Sequence, residues 1–483
     1  MSEHDSLRAH AGWRVLDGFG RAVRSASRYA VPRTVAELPD LLAGARADGL
    51  AVSFRGAGRS YGDASLNQNG LAIDTTALDR VIAWDPDTGI VEVEPGVTIE
   101  GLWRRTLADG WWPPVVPGTM APTIGGCLAM NVHGKNNFRV GSFGEHVLDF
   151  DLLTSAGDLL RCGRDQNADL FHAAVGGIGL FGAFTRIRLQ LKRVGSGKLR
   201  VRAIPTRTLD EMFDRFEERR AGADYLVGWI DCAVGGRGLG RGMVHQANHL
   251  RFDEDPDGEA SLEAKSQELP TSIFGVPKSV LWRCMGPFMN NTGVRLVNAA
   301  KYTSGAARGE ISYLQSHVAF AFLLDYVPNW RLAYGPSGFI QYQAFAPDGA
   351  ARDVFRRILE VSQRRGLPAY LGVVKRHRPD PFWLTPGLDG WSLALDYSAR
   401  ERQRLWELTE ELSEIVLAAG GKFFFAKDLV MRPADAERAW GRETLDRFFA
   451  LKHRVDPAGL FSTDLARRVF PTRLAAEGAV RVA

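Results

Sequence analysis

Apolar positions in the first two-fifths of the chain come in short runs separated by glycine, proline and polar residues. Thr34-Val-Ala-Glu37 has capping-box spacing and predicts a helix that closes near Gly49. Runs at 51–54, 71–74, 81–84 and 90–93 predict strands, the last two joined by a turn at Pro86-Asp-Thr-Gly89. A helix is expected between a Thr98 cap and a Gly110 stop, followed by a strand near 150–155, a helix over 167–175 and a strand over 183–191. Near residue 197 the elements lengthen. Strands are expected at 225–232, 338–345, 369–375, 391–397 and 422–425. Between them lie helices at 350–365, with Val354, Ile358 and Val361 on one face, and at 401–419. Residues 233–275, with Gly-Gly-Arg-Gly and an acidic DEDPDGE run, have few apolar anchors and are expected to form a mobile flap. The tail over 445–468 reads as helical and returning to the first half.

Length changes this picture by requiring more than one core: 483 residues predict two domains. The formal charge of +4 is too small for the size to argue for nucleic acid, though it would not repel an anionic substrate or lipid surface. Cys127, Cys162, Cys232 and Cys284 are far apart, which fits reduced thiols in a cytoplasmic protein and no metal site. The opening MSEHDSLRAH is polar and no long apolar run follows, so any membrane contact is expected to be peripheral.

The candidate chemistry sits in two glycine-rich loops. Arg55-Gly-Ala-Gly-Arg-Ser-Tyr-Gly62 follows a predicted strand, and consecutive amides in such a loop make a nest for anionic oxygens. The second runs from Pro117 to His146, has no acidic residue before Glu145, and carries His133-Gly-Lys-Asn136. Together they predict a large phosphorylated cofactor lying between them. Gly177-Ile-Gly-Leu-Phe-Gly182 matches a dinucleotide fingerprint but is preceded by a helix and followed by a strand. That order is the reverse of a nicotinamide-binding fold, which is therefore excluded.

Several stretches are familiar: RGAGRSYGD (55–63), VPGT (116–119), IGGCLAMNVHGKN (124–136), GSFGEHV (141–147), AYGPSGFIQYQ (333–343), AKD (426–428) and RVDPAGLFSTDLARR (454–468). They resemble the polyprenyl-phosphoryl-ribose 2′-oxidases of the vanillyl-alcohol oxidase/p-cresol methylhydroxylase superfamily, over nearly the whole chain and least at 233–310. The resemblance implies an α+β, two-domain FAD-binding fold: 1–196 as the first part of the FAD domain, an inserted substrate domain over 197–420 on an antiparallel or mixed sheet, and 421–483 returning to the FAD domain. It implies FAD contacts at Phe54, Arg55, Gly56, Ala57, Gly58, Arg59, Ser60, Tyr61 and Gly62 in the first loop. In the second it implies Gly118, Thr119, Thr123, Ile124, Gly125, Gly126, Met130, Asn131, His133 and Gly134, with Ala183 and Phe424 beyond. Many relatives attach FAD through a histidine in a Gly-His-Ser pattern; Arg59-Ser60 stands there, so noncovalent FAD is expected.

The implied reaction oxidises a sugar 2′-hydroxyl, and a short-chain reductase partner then completes epimerisation to the arabinose form. Lys427 matches the family's essential lysine and His133 is the second catalytic candidate. Lys135, Trp229, Gln343, Lys375 and Ser392 match substrate positions. The chain departs from the family pattern at Val227, Ala321, His377, Ser392 and Ala394, all on the substrate side. Oxidation of a soluble polyol, sugar or aldonolactone is the alternative, and a noncatalytic flavin-binding protein the third.

Overall fold

The computed structural model describes residues 12–273 and 275–474; the polar opening MSEHDSLRAH lies outside the described residues. Thr34 and Glu37 form the expected capping box, which leads through one 3-10 turn into helix α1, Leu38–Ala47. The helix packs on a four-stranded sheet of β1 (Gly12–Asp17), β2 (Arg24–Ala30), β3 (Val52–Arg55) and β4 (Leu71–Asp74), ordered β1-β2-β4-β3. The short runs of the first half thus become short strands, with β3 leading directly into the first glycine loop.

A second sheet is antiparallel throughout. It contains β5 (Val81–Asp85), β6 (Ile90–Val93), β7 (Val147–Leu153), β8 (Leu159–Gly163) and β9 (Ala183–Gln190), in the order β5-β6-β9-β7-β8. Helix α2 (Ala168–Ala174) precedes the Gly177–Gly182 turn and β9 follows it, the reversed order expected from the sequence.

The third sheet is eight-stranded: β10 (Lys198–Thr206), β11 (Tyr225–Ile230), β12 (Gly242–His249), β13 (Ile311–Ser316), β14 (Phe339–Pro347), β15 (Leu371–His377), β16 (Gly390–Ser398) and β17 (Lys422–Phe423), ordered β13-β10-β12-β11-β15-β16-β14-β17. All its pairings are antiparallel. Helices α3 (Leu209–Arg220), α5 (Asp348–Arg364) and α6 (Arg402–Ala418) cover one face, where Trp391 packs tilted against Phe213 and edge-on against Phe216. Helix α4 (Asn291–Arg308) lies at the β12/β10 end, with Gly305 against Met243.

Two expectations fail. Residues 233–275 are not a flap throughout, because Gly242–His249 is β12, paired on both sides in the middle of the large sheet. The glycine that opens it marks a tight approach: a Cβ on Gly242 would lie 1.9 Å from Trp229 O. The strand expected over 422–425 stops at Phe423, since Lys427 N–H and Asp428 N–H turn back to Phe424 O (2.9 and 3.1 Å).

The tail does return. Val52 N–H donates to Leu460 O (2.7 Å), and Ser462 N–H donates to Val52 O (2.9 Å). Arg468 closes the fold by donating to both Asp63 oxygens (2.8 Å each), to Asp428 Oδ2 (2.8 Å) and to Met431 O (2.7 Å). Both carboxylates are buried, so removing the guanidinium would leave two anions facing each other out of water. Arg468→Met is therefore expected to cost about 3–5 kcal/mol in urea denaturation; a loss below about 1 kcal/mol would show that the clamp contributes little.

Candidate active site

In the first loop Gly58 adopts φ +63°, and a Cβ there would meet the Arg55 guanidinium at 2.3 Å. Arg55 is turned away as a brace, donating to Ser65 Oγ (3.0 Å) and Asp17 O (3.0 Å). Among the described residues, the four consecutive amides of Ala57 to Ser60 donate to no protein acceptor. Tyr61 N–H is taken by Ala426 O (2.8 Å), which ties the loop to the segment bearing Lys427.

The second loop abuts the first. Thr123 caps the helix Ile124–Ala129 by accepting from Gly126 N–H (3.2 Å), and a Cβ on Gly56 would lie 2.2 Å from Thr123 Oγ1. Gly118 and Thr119 receive the segment after residue 322: Leu324 N–H donates to Gly118 O (3.1 Å) and Thr119 Oγ1 to Asp325 Oδ1 (2.6 Å).

Between the loops and the bare face of the large sheet lies a cavity of about 640 Å³. Its sheet wall is a cross-strand row, Gln343–Ala394–Val373–Trp229, read directly from the pairing register. Phe54, Gly56, Ala57, Gly58, Arg59, Ser60, Tyr61, Gly118, Thr119, Thr123, Gly125, Gly126, Met130, His133 and Phe424 line it, as do Lys135, Trp229, Gln343, Lys375 and Lys427. Seven expected residues stand behind the wall. Arg55 braces the loop; Gly62 packs on Asp428 O; Ile124 is core; Ala183 pairs with Leu153 in the second sheet; Gly134 packs on Asn136. Asn131 holds Ser142 Oγ (3.0 Å) and Gly144 N–H (2.9 Å), and Ser392 bonds Gln343. The sequence also left lining residues unnamed. Ile178, Gly179 and Gly182 come from the rejected fingerprint, and Lys301 comes from α4, where no element was expected.

Among the described residues, no aspartate or glutamate lines the cavity, whereas Arg59, Lys135, Lys301, Lys375 and Lys427 all do. Lys135 Nζ donates to the carbonyls of Phe320 (2.9 Å) and Ala321 (2.5 Å). Lys301 Nζ stands 3.9 Å from the Trp229 ring centre, and Lys427 Nζ 3.7 Å from that of Tyr61. Burial, with Lys375 adding repulsion, lowers Lys135 to about 7; burial alone lowers Lys375 to about 8. Burial also lowers Lys427, against the pull of Asp396, whose own carboxyl burial raises. Asp396 accepts from Gln341 Nε2 (2.5 Å) behind the wall. His133 is buried against Phe345, His377 and Phe424, and burial beside Lys375, His377 and Lys427 holds it well below the usual imidazole range. The cavity therefore offers a nest of free amides, an anion-attracting wall and several lysines, Lys427 among them, shifted toward their neutral, proton-accepting form.

Residues 26–163 match the family model described as an FAD binding domain. Cytokinin dehydrogenase 7 of Oryza sativa subsp. japonica is 33% identical over 45% of this chain and 44% of its own length. L-gulono-1,4-lactone dehydrogenase of Mycobacterium tuberculosis is 25% identical over 93% of this chain and 97% of its own. Decaprenylphosphoryl-beta-D-ribose oxidase of Mycolicibacterium smegmatis is 32% identical over 429 residues, 87% of this chain and 89% of the relative. At that identity and coverage, and with an FAD-binding domain at its head, the chain belongs to the decaprenylphosphoryl-ribose oxidase family of FAD-dependent oxidoreductases.

Proposed function

We propose that the chain oxidises the C2′ hydroxyl of a polyprenyl-phosphoryl-β-D-ribose to the 2′-ketone, the first half of an epimerisation that a short-chain reductase completes. The observation that carries this is the cavity itself: it joins the free amides of Ala57–Ser60 to a wall of lysines with no carboxylate on it. Those amides fit the pyrophosphate of FAD, and Gly118, Gly125 and Gly126 leave room for its ring. The FAD is noncovalent, since Arg59, at the place of the linking histidine, stands over Phe19. Residues 1–196 with 421–483 serve the cofactor and 197–420 the substrate. We place the reaction in the cytoplasm at the inner membrane face; no helix among the described residues is long and apolar enough to cross a membrane.

FAD, held by the amides of Ala57–Ser60 and by Gly118, Gly125 and Gly126, would supply the two-electron oxidant for the hydride of the carbinol carbon. The protein's own part is the proton. Neutral Lys427 accepts it from the hydroxyl as the carbonyl forms, and the ammonium it becomes rests on the Tyr61 face opposite Asp396. Lys135 and Lys375 hold the phosphate, and its charge favours their protonated forms. The second reading is oxidation of a soluble aldonolactone or polyol, favoured by similarity to the lactone dehydrogenase over 93% of the chain.

The test is anaerobic flavin bleaching. Polyprenyl-phosphoryl-ribose is expected to bleach the flavin where ribitol and L-arabinonolactone do not, and acid is expected to release all the FAD from the same sample. Bleaching by the lactone or ribitol alone would move the assignment to the second reading. Lys427→Met is expected to keep its FAD and slow bleaching about 10²–10⁴-fold; a rate near wild type would make Lys427 a bystander.

Lys375 gives a stability test. In the ligand-free protein it loses its proton near pH 8, whereas the unfolded chain holds it to about 10.5. The unfolded state thus binds more protons across that window, and this residue's penalty on folding is full below it and fades as pH rises through it. Lys375→Met is expected to be more stable than wild type by about 1–3 kcal/mol at pH 7, with the gap closing toward pH 10. Equal stability at both pH values in urea titrations would show that the charge is not strained.

A further inference from the structure

Behind the cavity wall runs a chain of buried hydrogen bonds that the oxidation described above does not use. Gln343 Nε2 lies 3.1 Å from His133 Nε2 and 3.2 Å from Ser392 Oγ. Ser392 Oγ lies 2.7 Å from His377 Nε2, and His377 Nδ1 lies 3.1 Å from Asn137 Oδ1. All five side chains are buried.

One backbone group sets every proton along this chain. The amide of Arg378 donates to Asn137 Oδ1 (3.2 Å), so that atom is the carbonyl oxygen and not the amide nitrogen. Facing an acceptor, His377 Nδ1 must carry the hydrogen. His377 is packed beside Lys375 and Arg376, and burial among these cations keeps it neutral, which leaves Nε2 a bare lone pair. Ser392 therefore donates its hydroxyl hydrogen to His377 and has only lone pairs left for Gln343. The Gln343 atom it meets must be the NH₂ group, whose second hydrogen points at His133 Nε2. His133, neutral among Lys375, His377 and Lys427, thus has an occupied Nε2 lone pair and its own hydrogen on Nδ1. That Nδ1 is buried with no hydrogen-bond partner among the described residues, so no competing bond pulls the ring to the other tautomer.

We propose that the chain Asn137–His377–Ser392–Gln343 locks His133 as its neutral Nδ1–H tautomer, making Ser392 and His377 positioning residues and removing His133 as a proton acceptor for the oxidation. The Nε2 lone pair is the only basic site on a neutral Nδ1–H imidazole, and Gln343 already fills it. The lock takes His133 out of the groups that could receive the hydroxyl proton, and Lys427 keeps the role proposed for it above. Its link to the reaction rests on the flavoenzyme function proposed above; the tautomer itself does not depend on the substrate.

The test reads the tautomer directly, on holoenzyme without substrate. In protein labelled with ¹⁵N-histidine and assigned against His133→Gln, two-bond ¹H–¹⁵N correlations are expected to show His133 protonated on Nδ1 and bare on Nε2, unchanged from pH 6 to 9. An Nε2–H form or an imidazolium in wild type overturns the proposal. Ser392→Ala breaks the chain at its centre and is expected to mix the two tautomers. Ser392→Thr keeps the hydroxyl and is expected to restore the single Nδ1–H form. A pure Nδ1–H signal in Ser392→Ala would show that something else sets the tautomer and also overturns it. Should Ser392→Ala fail to fold, His377→Phe against His377→Gln makes the same comparison, since only glutamine retains an acceptor for Ser392. If no tested sugar bleaches the flavin while the tautomer behaves as stated, the substrate assignment fails and the lock stands.

Discussion

The constraint on which the site depends is positive charge gathered without a counter-charge. Lys135, Lys375 and Lys427 are drawn out of bulk water around one cavity, and among the described residues no carboxylate lines it to neutralise them. Their lowered proton affinities express the cost, because each is easier to deprotonate in that setting than in water. A fold retains such strain only where the surrounding structure holds it in place. Here the restraints are specific. Lys135 is held by the carbonyls of Phe320 and Ala321, Lys427 by the Tyr61 ring, and Lys375 by a strand paired on both sides.

The same strain explains why both ends of the chain must meet. Lys427 follows the edge strand of the large sheet, whereas the loop it faces follows β3 of the first sheet, about 370 residues earlier. Tyr61 N–H to Ala426 O joins them across the cavity, and Arg468 pins Asp63 to Asp428 directly behind. Gly62 sits at the contact, where a Cβ would meet Asp428 O at 2.0 Å. The glycine therefore does more than free a turn. It lets the first glycine loop and the segment bearing Lys427 share one backbone surface.

Much of this was legible in the sequence, and the failures have physical causes. The capping box, the short strands of the first half and the helix–strand order around Gly177–Gly182 are local signals, and they appear where expected. β12 is not local. GMVHQANH has one branched aliphatic residue and four glycines shortly before it, and it becomes a strand because β10 and β11 offer pairing edges on both sides. Phe423–Phe425 reads as a continuing strand, yet the chain turns at Phe424 to bring Lys427 into the cavity. Helix α4 escaped notice because its apolar positions are sparse and mostly small, so Lys301 escaped with it.

The polar alternation of the central strands carries the deeper lesson. Gln341, Gln343, Lys375, His377, Ser392 and Asp396 occupy every second position, a pattern that in an antiparallel sheet normally marks the solvent face. Here that face is turned inward on the cofactor loops, and its polar groups bond one another. Inversion of this kind has a cost unless the groups are satisfied in a definite order of donors and acceptors. The order begins at the Arg378 amide and ends at His133, and Ser392 and His377 are the residues that complete the network. A substitution that swapped either for a residue of equal size but the wrong donor count would leave the packing intact and the protons misassigned. Packing alone therefore does not define this site; the direction of its hydrogen bonds does.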